Sequence, residues 1–426
     1  MRSDSHERYA QEMVKLFICV IVVCPVLTVA ASAVPLRMPG SNAAHVFDRL
    51  KKIAASPNYY WAWTYPWFEH TAENGDGRNA AKTADGRFSP KPISETVLFT
   101  PKDRGEASLE ERFGIRPYFY YLDFYYLTGI QRSPDYYAVN RASTVAIVRK
   151  AWRDFGAVPV FSWHMENPCV TNGFKGASYR FKCAEHKNLV RAILTDERGP
   201  SFAPRDWFMS RLEEIVTFLR SLTDEHDEKI PVILRYAHEM DGGWFWWGRE
   251  NCSNTDYIAL ARMEADFLRT HGGKEQILFA YTPDRWWWGL GNPGEGDCKF
   301  LTWYPGDEYV DILGYDDYAI GSGKTPAERE QNFTNAVVKL RILSDYATSH
   351  GKAVILSESG APNSGFFYED LNRLMSADGV RVAFANTWIG PWTWPQTADG
   401  LRDLENFVTN VTVCVKKHEL KKGQDE

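Results

Sequence analysis

The chain has 426 residues, 49 Lys and Arg against 55 Asp and Glu, and 44% hydrophobic content, which is enough for one large core or two ordinary ones. This composition excludes a disordered tail or a fibre, and a formal net charge of −6 supplies no field that would gather polyanions, so it argues against a nucleic-acid partner. Sixteen Trp, 21 Tyr and 24 Phe bring the aromatic share to 14%, and some of these rings are expected to face a ligand.

At the amino end, residues 16–30 (LFICVIVVCPVLTVA) form an apolar run preceded by Lys15 and followed by Ala31-Ser32-Ala33. That is the pattern of a cleaved secretory signal, with cleavage expected after Ala33. The run is shorter than a spanning helix and Pro25 interrupts it, so no membrane association is expected once the signal is removed. Asp4, Glu7 and Glu12 spoil the basic start of such a signal, and initiation at Met13 would repair it. Removing Cys19 and Cys24 leaves Cys169, Cys183, Cys252, Cys298 and Cys414, an odd set; the preferred pairing is Cys169 with Cys183 and Cys252 with Cys298. No pair has C-x-x-C spacing, so no metal site is expected among them. Sequons begin at Asn251, Asn332 and Asn410.

Eight short apolar runs rich in β-branched and aromatic residues follow in order: Tyr59–Tyr65, Pro117–Phe124, Val158–Trp163, Pro231–Ala237, Ile277–Tyr281, Val310–Tyr315, Ala353–Ser357 and Arg381–Trp388. Between several of them lie helical patterns, such as RASTVAIVRKAWRDFG, PRDWFMSRLEEIVTFLRSL, TDYIALARMEADFLRTHG and NAVVKLRILSDYATSHG. Near-continuous apolar strands alternating with helices are the mark of buried parallel strands, and eight of them predict an α/β fold, a single (β/α)8 TIM barrel with loop insertions. A doubly wound open sheet is the alternative, but no G-x-G-x-x-G follows the first strand. The expected organisation is a signal over 1–33, one catalytic domain over 34–415 and a charged tail over 416–426.

In such a barrel the working groups sit just past the carboxyl ends of the strands. Reading onward from each run gives Asp123, His164, the pair His238 and Glu239, Asp284, Asp316 with Tyr318, Glu358, and Trp388. Carboxylates at the ends of the fourth and seventh strands would face each other across the mouth, as glycoside hydrolysis requires: one protonates the leaving oxygen while the other attacks the anomeric carbon. Glu239 also precedes a Gly-Gly loop bearing Trp244, Trp246 and Trp247, rings suited to stacking on sugars. A zinc protease is excluded because His238-Glu239-Met240-Asp241-Gly242 lacks the second His of H-E-x-x-H, and a serine hydrolase because Ser357-Glu358-Ser359-Gly360 carries Glu where the nucleophilic Ser would stand.

The segment RYAHEMDGGWFWWG resembles the acid/base region of glycoside hydrolase family 26, a family of (β/α)8 retaining enzymes best known as β-mannanases. PYFYYLDF, FSWHMENP, YPGDEYVDILGYDDY and VILSESG resemble its second, third, sixth and nucleophile strands, in order, from about residue 117 to 394. The resemblance implies Glu239 as general acid/base, Glu358 as nucleophile and Tyr318 as the nucleophile's hydrogen-bond partner. It also implies Trp244 as the floor beside the −1 sugar, His164 and His238 as contacts of that sugar or orienters of the carboxylates, Asp316 as a brace for neighbouring side chains, and Trp388 as a stacking platform. No cofactor or metal is implied, and the partner would be a β-linked polysaccharide or oligosaccharide, with endo-β-1,4-mannanase activity the first expectation. Asp241 stands where Asn is common, and Ile389-Gly390 replaces a frequent Arg-Asn, which leaves β-1,3-xylan and mixed-linkage β-glucan open as substrates. A catalytically silent sugar-binding barrel is the reading from another class. For catalysis, burial against Trp and proximity to ionised Glu358 should raise the Glu239 pKa toward about 6.

Overall fold

The structure is a computed structural model, and it describes residues 38–64, 80–82, 88–90, 113–130, 133–169, 183, 185–285, 299–360, 367–388, 392–410 and 415–416. The expected signal, Cys298, Cys414 and the charged tail past residue 416 lie outside the described residues.

Eight parallel strands close into a barrel. They are β1 (Tyr60–Thr64), β2 (Phe119–Asp123), β3 (Val158–Ser162), β4 (Val232–Arg235), β5 (Ile277–Tyr281), β6 (Ile312–Asp317), β7 (Ala353–Ser359) and β8 (Phe384–Thr387). Each lies within or within two residues of its predicted run, β8 closes onto β1, and the (β/α)8 expectation is met.

The pleat divides each strand between two cores. Phe119 and Tyr121, Val158 and Val160, Ile233, Leu278 and Ala280, Ile312, Ala353 and Ile355, and Phe384 fill the barrel interior. Their alternates, among them Tyr120, Phe161, Leu234, Phe279, Leu313, Val354 and Ala385, face the surrounding helices. Helix α1 (Asn42–Ala54) adds Ala43, Val46, Phe47 and Leu50 to the interior cluster. Asn42 bonds the Lys229 carbonyl at 3.0 Å and Arg49 the Tyr118 hydroxyl at 2.6 Å, both just ahead of strands, so α1 closes the amino-terminal end of the barrel.

The outer helices include α2 (Pro134–Phe155), α3 (Leu189–Thr195), α4 (Pro204–Arg220), α5 (Asn254–Gly272), α6 (Pro326–His350), α7 (Phe367–Met375) and α8 (Ala398–Asn410). Their boundaries follow local chemistry. Ser133, Ser253 and Thr325 accept hydrogen bonds from the first turns of α2, α5 and α6, Pro begins α2 and α6, and Gly156 and Gly351 end them in the left-handed conformation.

Cys169 and Cys183 form the expected disulfide, with Cα atoms 5.2 Å apart. The other expected pairing is not made: Cys252 is a free, buried thiol that donates to the Trp247 carbonyl, and burial pushes its pKa up. It sits in the tight turn after Gly248 and packs among core rings, a place set by the Trp-rich loop rather than by any partner cysteine. The side-chain amides of Asn251 and Asn332, both in sequons, donate to the carbonyls of Phe245 and Ser322. Among the described residues no helix is long and apolar enough to cross a membrane.

One buried acid on the outer shell is unusual. Glu264 of α5 has no exposure, its carboxyl oxygens have no hydrogen-bond partner among the described residues, and burial raises its pKa to about 8. The folded chain therefore binds a proton there that the unfolded chain releases above about 4.5. The Glu264 contribution to stability should be complete below that value and lost as pH rises through about 8. Glu264→Gln should flatten this slope, so urea midpoints of variant and wild type should diverge, in the variant's favour, between pH 5 and pH 8.

Candidate active site

The interior polarity changes sharply at the carboxyl ends of the strands. Above the apolar layer, inward positions carry Tyr121, Ser162, Arg235, Thr282, Asp316 and Ser357, all nearly or fully buried. Arg235 organises this layer from zero exposure. Its Nη1 donates to Glu358 Oε1 at 2.5 Å and Ser162 Oγ at 3.0 Å, its Nη2 to both Asp316 oxygens at 2.9 and 2.6 Å, and its Nε to Thr282 Oγ1 at 3.2 Å. The guanidinium also lies 5.4 Å from the Tyr121 ring centre. Burial alone would lower its pKa, but the Asp316 and Glu358 carboxylates outweigh burial and hold it above the usual arginine value. Arg235 was not singled out from sequence; an Arg within the apolar run PVILRYAH was the available signal, since a charge there needs buried partners.

Glu358 reaches this position through an irregularity. Leu356 pairs with Tyr315, yet Glu358 pairs with Asp316, so Ser357 is an extra residue in β7. Ser357 Oγ then donates to Asp316 Oδ1 at 2.5 Å, and Tyr318 donates its hydroxyl to Glu358 Oε2 at 2.7 Å. Burial, then the nearby Glu358 and Asp316 charges, push the Tyr318 pKa well up, so Tyr318 remains a donor.

Glu239 is placed by strain and by a strap. Its φ of 51° and that of Ala237, 41°, lie in the left-handed region, which costs a residue other than glycine about 1–3 kcal/mol. The surroundings enforce the conformation: Glu239 N–H donates to the Thr282 carbonyl at 2.9 Å, and the Asp284 N–H donates to Asp241 Oδ1 at 2.7 Å. The end of β5 thus holds the acid-bearing turn at two points. Trp244 donates its indole N–H to Glu239 Oε2 at 2.7 Å. A side chain at Gly242 would run into the Trp244 ring at 2.4 Å, so this glycine makes room for it. Trp246 and Trp247 are core residues that donate to the carbonyls of Met165 and His238.

Acceptor oxygens of Glu239, Asp316 and Glu358 all lie within 4.8 Å of one another. Arg235 already supplies the cation for two of the three, so this donor set does not fit a metal ion. Burial first, then the charges of Glu358 and Asp284, raise the Glu239 pKa well above the ordinary value. Behind it, Asp241 is pushed up to about 7 by burial, and Asp284 to about 8 by burial and by Asp241, Asp316 and Asp317.

The two histidines are brought together with ring centres 4.6 Å apart. Asp123 bonds both the backbone N–H of His164, at 3.1 Å, and its ring Nδ1. Burial would lower the His164 pKa, but Asp123 and Glu358 raise it; in His238 burial, His164 and Arg235 all act downward, so that ring is neutral. His238 is only 1% exposed and packs against Phe245 and Trp247, whereas His164 is partly exposed and lies 6.1 Å from Trp388. Glu239, Trp244, Tyr318 and Trp388 are the other partly exposed members. Asp316 is fully buried, and both of its oxygens accept hydrogen bonds from Arg235.

The chain matches the model of glycosyl hydrolase family 26 over residues 124–394. It is 35% identical over 247 residues to a mannan endo-1,4-beta-mannosidase of Bifidobacterium adolescentis, covering 55% of this chain and 22% of that one. It is 28% identical over 173 residues to a mannan endo-1,4-beta-mannosidase of Bacillus subtilis, covering 39% and 41%. The chain thus spans less than half the length of these relatives. In fold it resembles a family 26 structure from Muricauda sp. MAR_2010_75, with a TM-score of 0.66 and 23% identity over 86% of this chain and 89% of that one.

Arg235→Met should leave Asp316 and Glu358 buried without their counter-ion and cost about 3–5 kcal/mol of stability. Chemical denaturation would measure this, and a loss below about 1 kcal/mol would contradict the organising role of Arg235. The chain belongs to glycosyl hydrolase family 26.

Proposed function

We propose that the protein is a retaining glycoside hydrolase that cleaves β-linked polysaccharide, acting as an endo-β-1,4-mannanase. The observation that carries this reading is the close approach, within 4.8 Å, of two carboxylates in opposite environments. Glu358 accepts from Arg235 and Tyr318, while Glu239 is held protonated by enclosure and by the neighbouring negative charges. Such a short separation suits direct attack by one carboxylate better than activation of an intervening water.

In the first half-reaction Glu358 attacks the anomeric carbon, and Glu239 delivers its proton to the departing glycosidic oxygen. Forming the ester removes the Glu358 charge, one of the causes that raise the Glu239 pKa, so Glu239 stays ionised after giving up its proton and is available as the general base. It then takes a proton from water as that water attacks the anomeric carbon, and Glu358 leaves as a carboxylate. Arg235 remains tied to Asp316 throughout, which keeps Glu358 in place between cycles. His164, Trp244 and Trp388 line the opening beside the pair and would contact the sugar there, His164 oriented by Asp123. His238 supports them from below as a neutral ring. The names of the relatives favour mannan, and the two departures after Glu239 and Trp388 make the polymer a question for assay. The apolar run at residues 16–30 supports export with cleavage after Ala33.

Reducing-sugar release from galactomannan, β-1,3-xylan and mixed-linkage glucan should occur with galactomannan and be abolished in Glu358→Ala and Glu239→Gln. Proton NMR should show the first product with retained β configuration; an α product would overturn the mechanism. Because Glu239 must be protonated to act, kcat/KM should fall as pH rises through its raised pKa, with the basic limb above the 4.5 of an ordinary glutamate. A limb at or below that value would show that Glu239 is not the acid.

A further inference from the structure

Among the described residues the large exposed hydrophobic side chains are Met38, Ile130 and Trp392, and Trp392, 38% exposed, is the aromatic one. Its ring centre lies 5.0 Å from that of Tyr318, edge to face at 69°. Tyr318 in turn bonds the Glu358 carboxylate. An exposed indole therefore stands one side chain away from the proposed nucleophile.

The position is built rather than incidental. Gly360, directly after β7, has a φ of 153°, and a side chain there would meet the Trp392 Cβ and carbonyl oxygen at 2.8 Å. This glycine lets the backbone of Trp392 rest on the end of the nucleophile strand. The residues that follow are fastened: Thr393 donates to the Trp388 carbonyl, Tyr368 donates to the Thr393 carbonyl, and Trp394 is 2% exposed in the core. Trp392 is thus an apolar ring left in water on an anchored backbone, where no reorganisation is needed for it to receive a flat apolar face.

We propose that Trp392 is a stacking platform for a pyranose unit adjoining the one held over Glu358. This assignment rests on the glycoside hydrolase reading and extends it. The acid/base has Trp244 beside it, and the nucleophile has Trp392 beside its Tyr318, so a β-linked chain lying across both carboxylates meets an indole at each.

The test uses isothermal titration of β-1,4-manno-oligosaccharides, from disaccharide to hexasaccharide, into the full-length protein carrying Glu239→Gln, with and without Trp392→Ala and Trp392→Phe. Affinity should be unchanged for the shortest ligand that binds and weaker by about tenfold for the longer ones in the Ala variant, with most of the loss restored by Phe. Unchanged affinity at every length would overturn the platform. An equal loss at every length would also overturn it, because Trp392 would then act only by supporting Tyr318. If polymer hydrolysis fails with the wild type but the length-dependent loss remains, the platform stands and the enzymatic reading falls. If no oligosaccharide binds, both fall.

Discussion

A single buried guanidinium sets the terms for the upper half of this barrel. Arg235 must be fully neutralised where it sits, and its demand for acceptors brings Asp316, Glu358, Ser162 and Thr282 from four different strands to one point. The barrel supplies the converging strands, and the pleat points their alternate residues inward, but the apolar layers below need only volume to fill. The polar layer needs direction, because an Arg with five N–H donors tolerates few arrangements of its partners. Glu358 is therefore presented in one orientation, with Tyr318 claiming its second oxygen.

Glu239 is governed differently. Among the described residues no cation forms an ion pair with it; a positive φ, two hydrogen bonds to the end of β5 and an indole N–H define its place. The two carboxylates consequently share a small volume under unequal conditions, one bonded by Arg235 and Tyr318, the other enclosed by rings and neighbouring acids. Asp241 and Asp284, raised to about 7 and 8, continue this enclosed acidic surrounding behind Glu239, and Asp284 is one of the groups that raise the Glu239 pKa.

Much of this architecture is legible in the sequence because strand burial leaves a direct trace. Eight apolar runs mark the strands, and the residue following each run marks the mouth, so Asp123, His164, Glu239, Asp316, Tyr318, Glu358 and Trp388 are all found where reading along the chain places them. What escapes has no local trace. Arg235 reads as the last residue of a strand, and its value lies in partners 47 to 123 positions away. The extra residue at Ser357 leaves the apolar pattern intact and changes only the pairing with β6. Cysteine spacing does not encode pairing, and Cys252 is a free thiol turned into the Trp-rich loop, where it donates to the Trp247 carbonyl. Trp392 is lost among other aromatics until its exposure and its contact with Tyr318 are visible.

The left-handed backbone at Glu239 has a consequence for how this protein can change. Asn and Gly adopt that conformation more readily than Glu, so the residue best suited to the local geometry is not the one best suited to proton transfer. Replacement by either would relieve strain and remove an acid from a crowded acidic cluster, pulling the chain toward greater stability and away from turnover. If Glu239 has the proposed role, an inactive, more robust descendant is one substitution distant, and persistence of Glu at this position in any lineage would register selection for chemistry over folding.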